Sequence, residues 1–304
     1  MRITTANAYN TAVDNLQRRQ QDLNLAQGRL TSGKRVERAS DDPAAAARAE
    51  RALAGSERAK ADQRGVEASR NAMQQVEGAL GDATEAMQQI RELLVAAGNA
   101  TYSDAERANL GDRIRGLRDQ LLAIANRGDG AGGYLFGGQG SAQPPFVDGA
   151  GGVTFDGTAG QANVQSTHLL PMTHDGGATW LGDTSPAPNL SLFDVLDRVA
   201  TELRTPGRSN AQVAQTVASG LGDVDAVSAR LTLQRAMAGE SLNRLDALES
   251  RIADSKLHAH SERSLAEDLD MVQALSDFQA QQTGYQAALS TYALVQKMSL
   301  FQYL

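Results

Sequence analysis

Both ends of this 304-residue chain carry an apolar residue at every seventh position: Tyr9, Leu16, Leu23 and Leu30 at the start, Met271, Phe278, Tyr285 and Tyr292 near the finish. A seven-residue repeat marks a helix stripe that stays buried only against another helix. Chain ends ordinarily fray. Here they hold the strongest association signal, which predicts a chain that runs out and returns, its two ends lying side by side. A chain of this kind is built to polymerise rather than to catalyse.

Helical punctuation divides what lies between. Thr31-Ser32-Gly33-Lys34-Arg35 reads as a break, and Asp42-Pro43 as an N-cap followed by proline at the first helical position. Met73, Val76, Leu80, Ala83, Met87, Ile90 and Leu94 then alternate spacings of three and four, as a helical seam or a bundle core demands. Gly98-Asn99 closes that helix. Ser103-Asp104-Ala105-Glu106 is a capping box, with Leu110, Ile114, Leu117, Leu121 and Ile124 behind it. Periodicity returns at Leu192, Val195, Leu196, Val199 and Leu203 and breaks at Pro206-Gly207. It restarts after a second box, Ser209-Asn210-Ala211-Gln212, with Val213, Val217, Leu221, Val224 and Leu231, then Leu242, Leu245, Leu248 and Ile252.

Residues 131–189 differ in kind. They hold 13 of the 29 glycines, five of the seven prolines and the single Trp180, with no Lys or Arg and only four Asp, whereas residues 1–130 hold 19 basic and 18 acidic side chains. Such a density of breakers excludes helix and predicts short hairpins, as in Gly152-Val153-Thr154-Phe155 and Ala162-Asn163-Val164-Gln165. Tyr134, Phe136 and Phe146 either anchor this insert to the helices or pack a core of its own.

Composition narrows the function classes. A net charge of −7 argues against general affinity for nucleic acid or anionic lipid. The absence of cysteine removes disulfides and thiolate metal sites. The start, Met1-Arg2-Ile3-Thr4-Thr5-Ala6-Asn7, has no apolar core of signal-peptide length, and no run reaches the roughly 18 apolar residues of a membrane span. By ordinary signals the expectation is a soluble protein that is not Sec-exported.

Isolated motifs carry no chemistry. Gly28-Arg29-Leu30-Thr31-Ser32-Gly33-Lys34 has most of a phosphate-binding loop, but Arg35 stands where a magnesium-binding Ser or Thr belongs, and a helix precedes it where a strand should. A hinge between helices is the better reading. Arg127-Gly128-Asp129 lies where glycine would close a helix. His258 and His260 sit two apart on a helix and point to different faces; His168 and His174, near Asp175, read as solvated loop histidines rather than metal ligands. No catalytic, cofactor or metal residue is assigned.

Three segments resemble the flagellin superfamily, and within it the hook-associated protein 3 family of the hook–filament junction. They are Gln27-Gly28-Arg29-Leu30-Thr31-Ser32-Gly33-Lys34-Arg35-Val36 followed by Ser40-Asp41-Asp42-Pro43-Ala44-Ala45-Ala46; Tyr134-Leu135-Phe136-Gly137-Gly138 with Pro145-Phe146; and the ending Met298-Ser299-Leu300-Phe301-Gln302-Tyr303-Leu304. Flagellin is similar at the first but usually lacks the proline found at Pro43, and typically ends in a Leu-Leu-Arg form.

The resemblance implies a mainly α, flagellin-like rod with a small β insert: paired terminal helices at 1–35 and 262–304 as the inner assembly region, a helical shaft at 36–130 and 190–261, and a β-rich outer insert at 131–189. It implies a structural, non-enzymatic role in the bacterial flagellum, joining the hook-associated junction to the filament. Partners would be further copies in a ring, the preceding hook-associated junction protein, flagellin, and an export chaperone at the C-terminal helix during type III export, which the resemblance implies delivers the chain to the cell exterior without a cleaved signal peptide. The assembly interface would comprise Tyr9, Leu16, Leu23, Leu30, Met271, Phe278, Tyr285, Tyr292, Leu300, Phe301, Tyr303 and Leu304. No cofactor, nucleic acid or membrane insertion is implied. The alternatives are a flagellin filament subunit and a type III secreted tip or effector protein.

Overall fold

The structure is a computed structural model that describes residues 2–165, 167–182 and 190–301, with side chains over 10–164, 167–182 and 190–294. Among the described residues three α-helices, four short strands and three further α-helices follow one another: α1 Arg2–Ser32, α2 Pro43–Ala97, α3 Asp104–Ala125, β1 Phe146–Gly149, β2 Gly152–Phe155, β3 Asn163–Gln165, β4 Leu169–Pro171, α4 Leu192–Arg204, α5 Asn210–Glu267 and α6 Met271–Phe301. The chain is mainly α with a small β insert.

Three helices, α2, α3 and α5, begin where their caps are written. Asp42 Oδ1 accepts from the Ala44 and Ala45 N–H groups at 3.1 and 2.9 Å, and α2 starts at Pro43. Ser103 Oγ accepts from Glu106 N–H while Glu106 accepts from Ser103 N–H, completing the capping box of α3. Gln212 and Ser209 make the same reciprocal pair ahead of α5.

The chain forms two compact units, Met1–Ala59 with Asp254–Leu304, and Lys60–Ala253. In the second unit the α2 seam is fully sealed: Met73, Val76, Leu80, Ala83, Ile90 and Leu94 are each 0% exposed. Its neighbour runs antiparallel, since the α2 partners of α5 advance as the α5 numbers fall: Arg70 to Asp246 at 2.6 Å, Glu77 to Arg235 at 2.6 Å, Arg91 to Asp225 at 3.0 Å. α3 and α4 pack together. Their tie to the insert is Arg118, which is held by Asp148 on β1 and Asp197 on α4 and lies over the Phe193 ring. The bond to Arg118 holds the Asp148 carboxyl below the usual carboxylate range.

The insert contains two separate antiparallel hairpins, β1–β2 in the register Phe146↔Phe155 and β3–β4 in the register Val164↔Leu170. Strands of three and four residues cannot bury a core unaided. The aromatic cluster supplies one and shares it with α4: Trp180 meets Phe136 edge-on at 5.2 Å and stacks on Phe193 at 6.3 Å, while Phe146 contacts Phe155, Trp180 and Phe193. Both alternatives for Phe136 and Phe146 therefore hold at once, and Tyr134 remains half-exposed. On the other hairpin, Leu170 is seated so close to α2 that a Cβ at Gly65 would lie 2.9 Å from it.

Two expectations need correction. Residues 131–189 were expected to exclude helix, yet Gly177–Leu181 form a π-helical turn that presents Trp180 to the cluster. His174 is not a solvated loop residue; it is 2% exposed, with Nε2 2.8 Å from Gln234 Oε1 of α5.

Candidate functional site

The unit formed by the chain ends is built from the two heptad stripes. α1 and α6 pack against each other, and the stripes face inward: Leu16, Leu23 and Leu30 on one helix and Phe278, Tyr285 and Tyr292 on the other are all partly covered. None of them is sealed in the manner of the α2 seam. Met271, in the first turn of α6, is 51% exposed. The side chains of Tyr9, Leu300 and Phe301, together with Tyr303 and Leu304, lie outside the described residues.

A further apolar set on α6 was missed by the seven-residue count. Val272 is 84% exposed, Leu294 62%, Leu275 51% and Leu289 42%, and Leu25 on α1 is 61% exposed. Apolar residues therefore surround α6 on more sides than α1 covers, and a helix apolar all round is one that becomes buried on several sides. These positions follow no three-four series, since Gln279, Gln282 and Gln286 stand between Leu275 and Leu289. Between Phe278 and Gln296 no residue is charged, so no ionised group in that stretch opposes burial.

The motifs set aside on sequence grounds are placed as structure. Gly28 lies inside α1 and Lys34 pairs with Glu267 at 3.4 Å, so the glycine-rich stretch forms no phosphate cradle. Arg127 pairs with Asp82, and Asp129 accepts from the Ala131 and Gly133 N–H groups, tying down the turn after α3. A groove between the β3–β4 hairpin and α5 is lined by Leu169, Pro171, Met237 and the ion pair Arg244–Glu240. Among the described residues no helix is long and apolar enough to cross a membrane, and no group of His, Asp or Glu has metal-site geometry.

Comparison with known proteins places these features in a family. The bacterial flagellin N-terminal helical region matches residues 3–141 and the flagellin C-terminal helical region matches residues 221–304. Flagellar hook-associated protein 3 of Salmonella typhimurium is 32% identical, and that of Escherichia coli K12 31% identical, each over 99% of both chains. A solved putative flagellar hook-associated protein from Vibrio parahaemolyticus has the same fold, with a TM-score of 0.64 at 18% identity over 75% of this chain and 99% of that one.

Proposed function

This chain belongs to the flagellar hook-associated protein 3 family, and from that premise we propose how it performs its role. It is a structural component of the bacterial flagellum, at the junction between hook and filament. In our reading the joining is done by the terminal regions 1–35 and 262–304, through Tyr9, Leu16, Leu23, Leu30, Met271, Phe278, Tyr285, Tyr292, Leu300, Phe301, Tyr303 and Leu304. The helices of 36–130 and 190–261 form the body that carries them, and the insert 131–189 takes no part in the joint.

One observation supports this above the rest. The α2 seam is sealed within one chain, whereas the seam between α1 and α6 is left half-covered beside a second open apolar face at Val272, Leu275 and Leu289. Burying such faces is worth about 25 cal/mol per Å², and further copies, the preceding hook-associated protein and flagellin are the surfaces available to do it. The same exposure supports cover of the C-terminal helix by an export chaperone before assembly. A chain without cysteine can be threaded unfolded through a narrow channel to the cell exterior without crosslinking.

The test is complementation of a deletion strain with Val272→Glu/Leu289→Glu. Both positions are already open to solvent, so the purified variant should keep its helicity and be exported, while hooks fail to hold filaments in electron micrographs. Normal swimming with this variant would sink the assignment of the surface.

A further inference from the structure

The sequence holds four Asp-Gly pairs, Asp129-Gly130, Asp148-Gly149, Asp156-Gly157 and Asp175-Gly176, and no Asn-Gly. An aspartate followed by glycine is prone to close a ring with its own backbone, because glycine puts no Cβ in the way and leaves the chain free to turn. The reaction needs the carboxyl to swing round until Cγ faces the next backbone nitrogen. A carboxylate held elsewhere cannot make that turn without a local opening of its bonds.

In three of the pairs the carboxylate is held. Asp129 Oδ1 accepts from the Ala131 and Gly133 N–H groups, both at 2.8 Å. Asp148 is gripped by both terminal nitrogens of Arg118, with Nη2 at 2.9 Å. Asp175 accepts from the Ala178 N–H with one oxygen at 3.0 Å and from the Gly160 N–H with the other at 2.7 Å. Asp156 is the exception. It is exposed, and among the described residues neither its carboxylate nor the Gly157 N–H has a hydrogen-bond partner. Its own N–H donates to the Pro145 carbonyl at 2.8 Å, and the chain is next tied at Thr158, whose carbonyl accepts from the Gln139 N–H at 2.9 Å.

The fit around this link has no slack. A Cβ at Gly157 would overlap the Phe155 ring and lie 3.0 Å from the Gly137 carbonyl oxygen. Phe155 in turn packs on Phe146 at 5.2 Å, and Phe146 on Trp180 at 6.4 Å. An extra main-chain atom between Asp156 and Gly157 would disturb the aromatic cluster.

We propose that Asp156-Gly157 is a site of spontaneous covalent modification, where aspartate converts to isoaspartate in the folded chain. The Gly157 nitrogen bonds to Asp156 Cγ, and one carboxyl oxygen leaves as water with the amide proton and the carboxyl proton. Water then reopens the five-membered imide. Breaking the bond from nitrogen to Cγ restores aspartate; breaking the bond to the backbone carbonyl leaves a chain that runs through Cβ and Cγ, one carbon longer, with the carboxylate on Cα. Composition is unchanged, and no oxidant is consumed. The reaction is intrinsic to the insert and does not depend on which surface joins the flagellum.

No Lys or Arg stands between Arg127 and Arg198, so trypsin leaves all four pairs in one peptide, and a protease that cuts before Asp but not before isoaspartate tells them apart. Full-length protein would be aged in warm, near-neutral buffer, either folded or in urea, and then digested. In the folded chain cutting should fail at Asp156 about tenfold more often than at Asp129, Asp148 or Asp175, whose carboxylates must first open locally. In urea the four pairs should age alike. Total isoaspartate, read with an isoaspartate-directed methyltransferase and a labelled methyl donor, should drop to near background in folded Asp156→Glu, which could cyclise only through a six-membered ring. Isoaspartate appearing first at a bonded pair, equal yields at all four pairs in the folded chain, or ageing of Asp156 confined to the urea sample would overturn the proposal.

Discussion

His174 couples the insert to α5 through a protonation state. Its Nε2 is 2.8 Å from Gln234 Oε1 and its Nδ1 is 3.4 Å from Gln161 Nε2, so the neutral ring with its proton on Nε2 satisfies both neighbours, whereas a second proton would face the Gln161 amide donor. Burial pushes the pKa down, and Gln234 and the Asp175 carboxylate oppose that shift only in part. The other charges on the packed elements are engaged elsewhere: Arg230 on the carbonyls of Thr179 and Trp180, Arg235 on Glu77. The unfolded histidine titrates near about 6.5, so the unfolded chain binds more protons once the pH falls below that value. Stability from this residue is present above about pH 6.5 and is lost as pH drops toward the lower folded value. Trp180, the single tryptophan, reports on it through Phe136, which touches both rings. Melting followed by Trp fluorescence should show Tm falling between about pH 7 and pH 5. His174→Gln should flatten that part of the profile, and an unaltered slope in the variant would remove His174 as its source.

Helices built on one pattern differ in what the pattern is worth. Leu80 in α2 is 0% exposed, so Leu80→Ala should cost about 2–5 kcal/mol through lost burial and the cavity left behind. Leu23 holds the same kind of position in α1 but is half-covered, and Leu23→Ala should cost the free chain less than about 1 kcal/mol. Urea midpoints at constant m-value measure both; equal losses would mean that α1 is as sealed as α2. The period itself was legible, as were the starts at Asp42, Ser103 and Ser209, because capping is local chemistry between residues two or three apart. How many neighbours a stripe has was not legible. Seven-residue spacing describes one face of a helix, and the open residues Val272, Leu275 and Leu289 of α6 emerged only when α1 was in place beside it. The antiparallel bridge between Lys34 and Asp268 left no mark in the sequence either, since the Arg35 N–H on the Glu267 carbonyl and the Leu269 N–H on the Gly33 carbonyl are bonds between backbone groups that every residue but proline possesses. The turn at Gly177–Leu181 escaped notice because glycine next to it signals only a break, while the turn is held by the burial of Trp180 and by the Thr179 hydroxyl on the Asp175 carbonyl.

For the whole molecule, stability is unevenly spread. Each half-covered seam residue of the terminal unit recovers about 1 kcal/mol, whereas fixing the backbone costs about 1–2 kcal/mol per residue before helix hydrogen bonds offset part of it. Brief trypsin treatment of the free chain should therefore cut first at Arg18, Arg19 and Arg29, and only later within Lys60–Ala253. Early fragments cut inside α2 at Arg70 or Arg91 would contradict that order. The pairing of α2 with α5 also imposes a timetable. The pair Arg91–Asp225 spans 134 residues, Arg235–Glu77 158, Arg70–Asp246 176, and the Arg35 bond to Ala266 spans 231. A chain that emerges from its beginning must hold the α2 stripe open while α3, the insert and α4 follow. The closure then runs zipper-fashion from the inner turn outward, as Asp225, Arg235, Asp246 and Ala266 appear in succession. Only the last seventh or so of the chain can complete the structure, so a subunit stalled before that point holds an α2 whose apolar stripe still awaits its mate, and the waiting time is set by delivery rather than by folding.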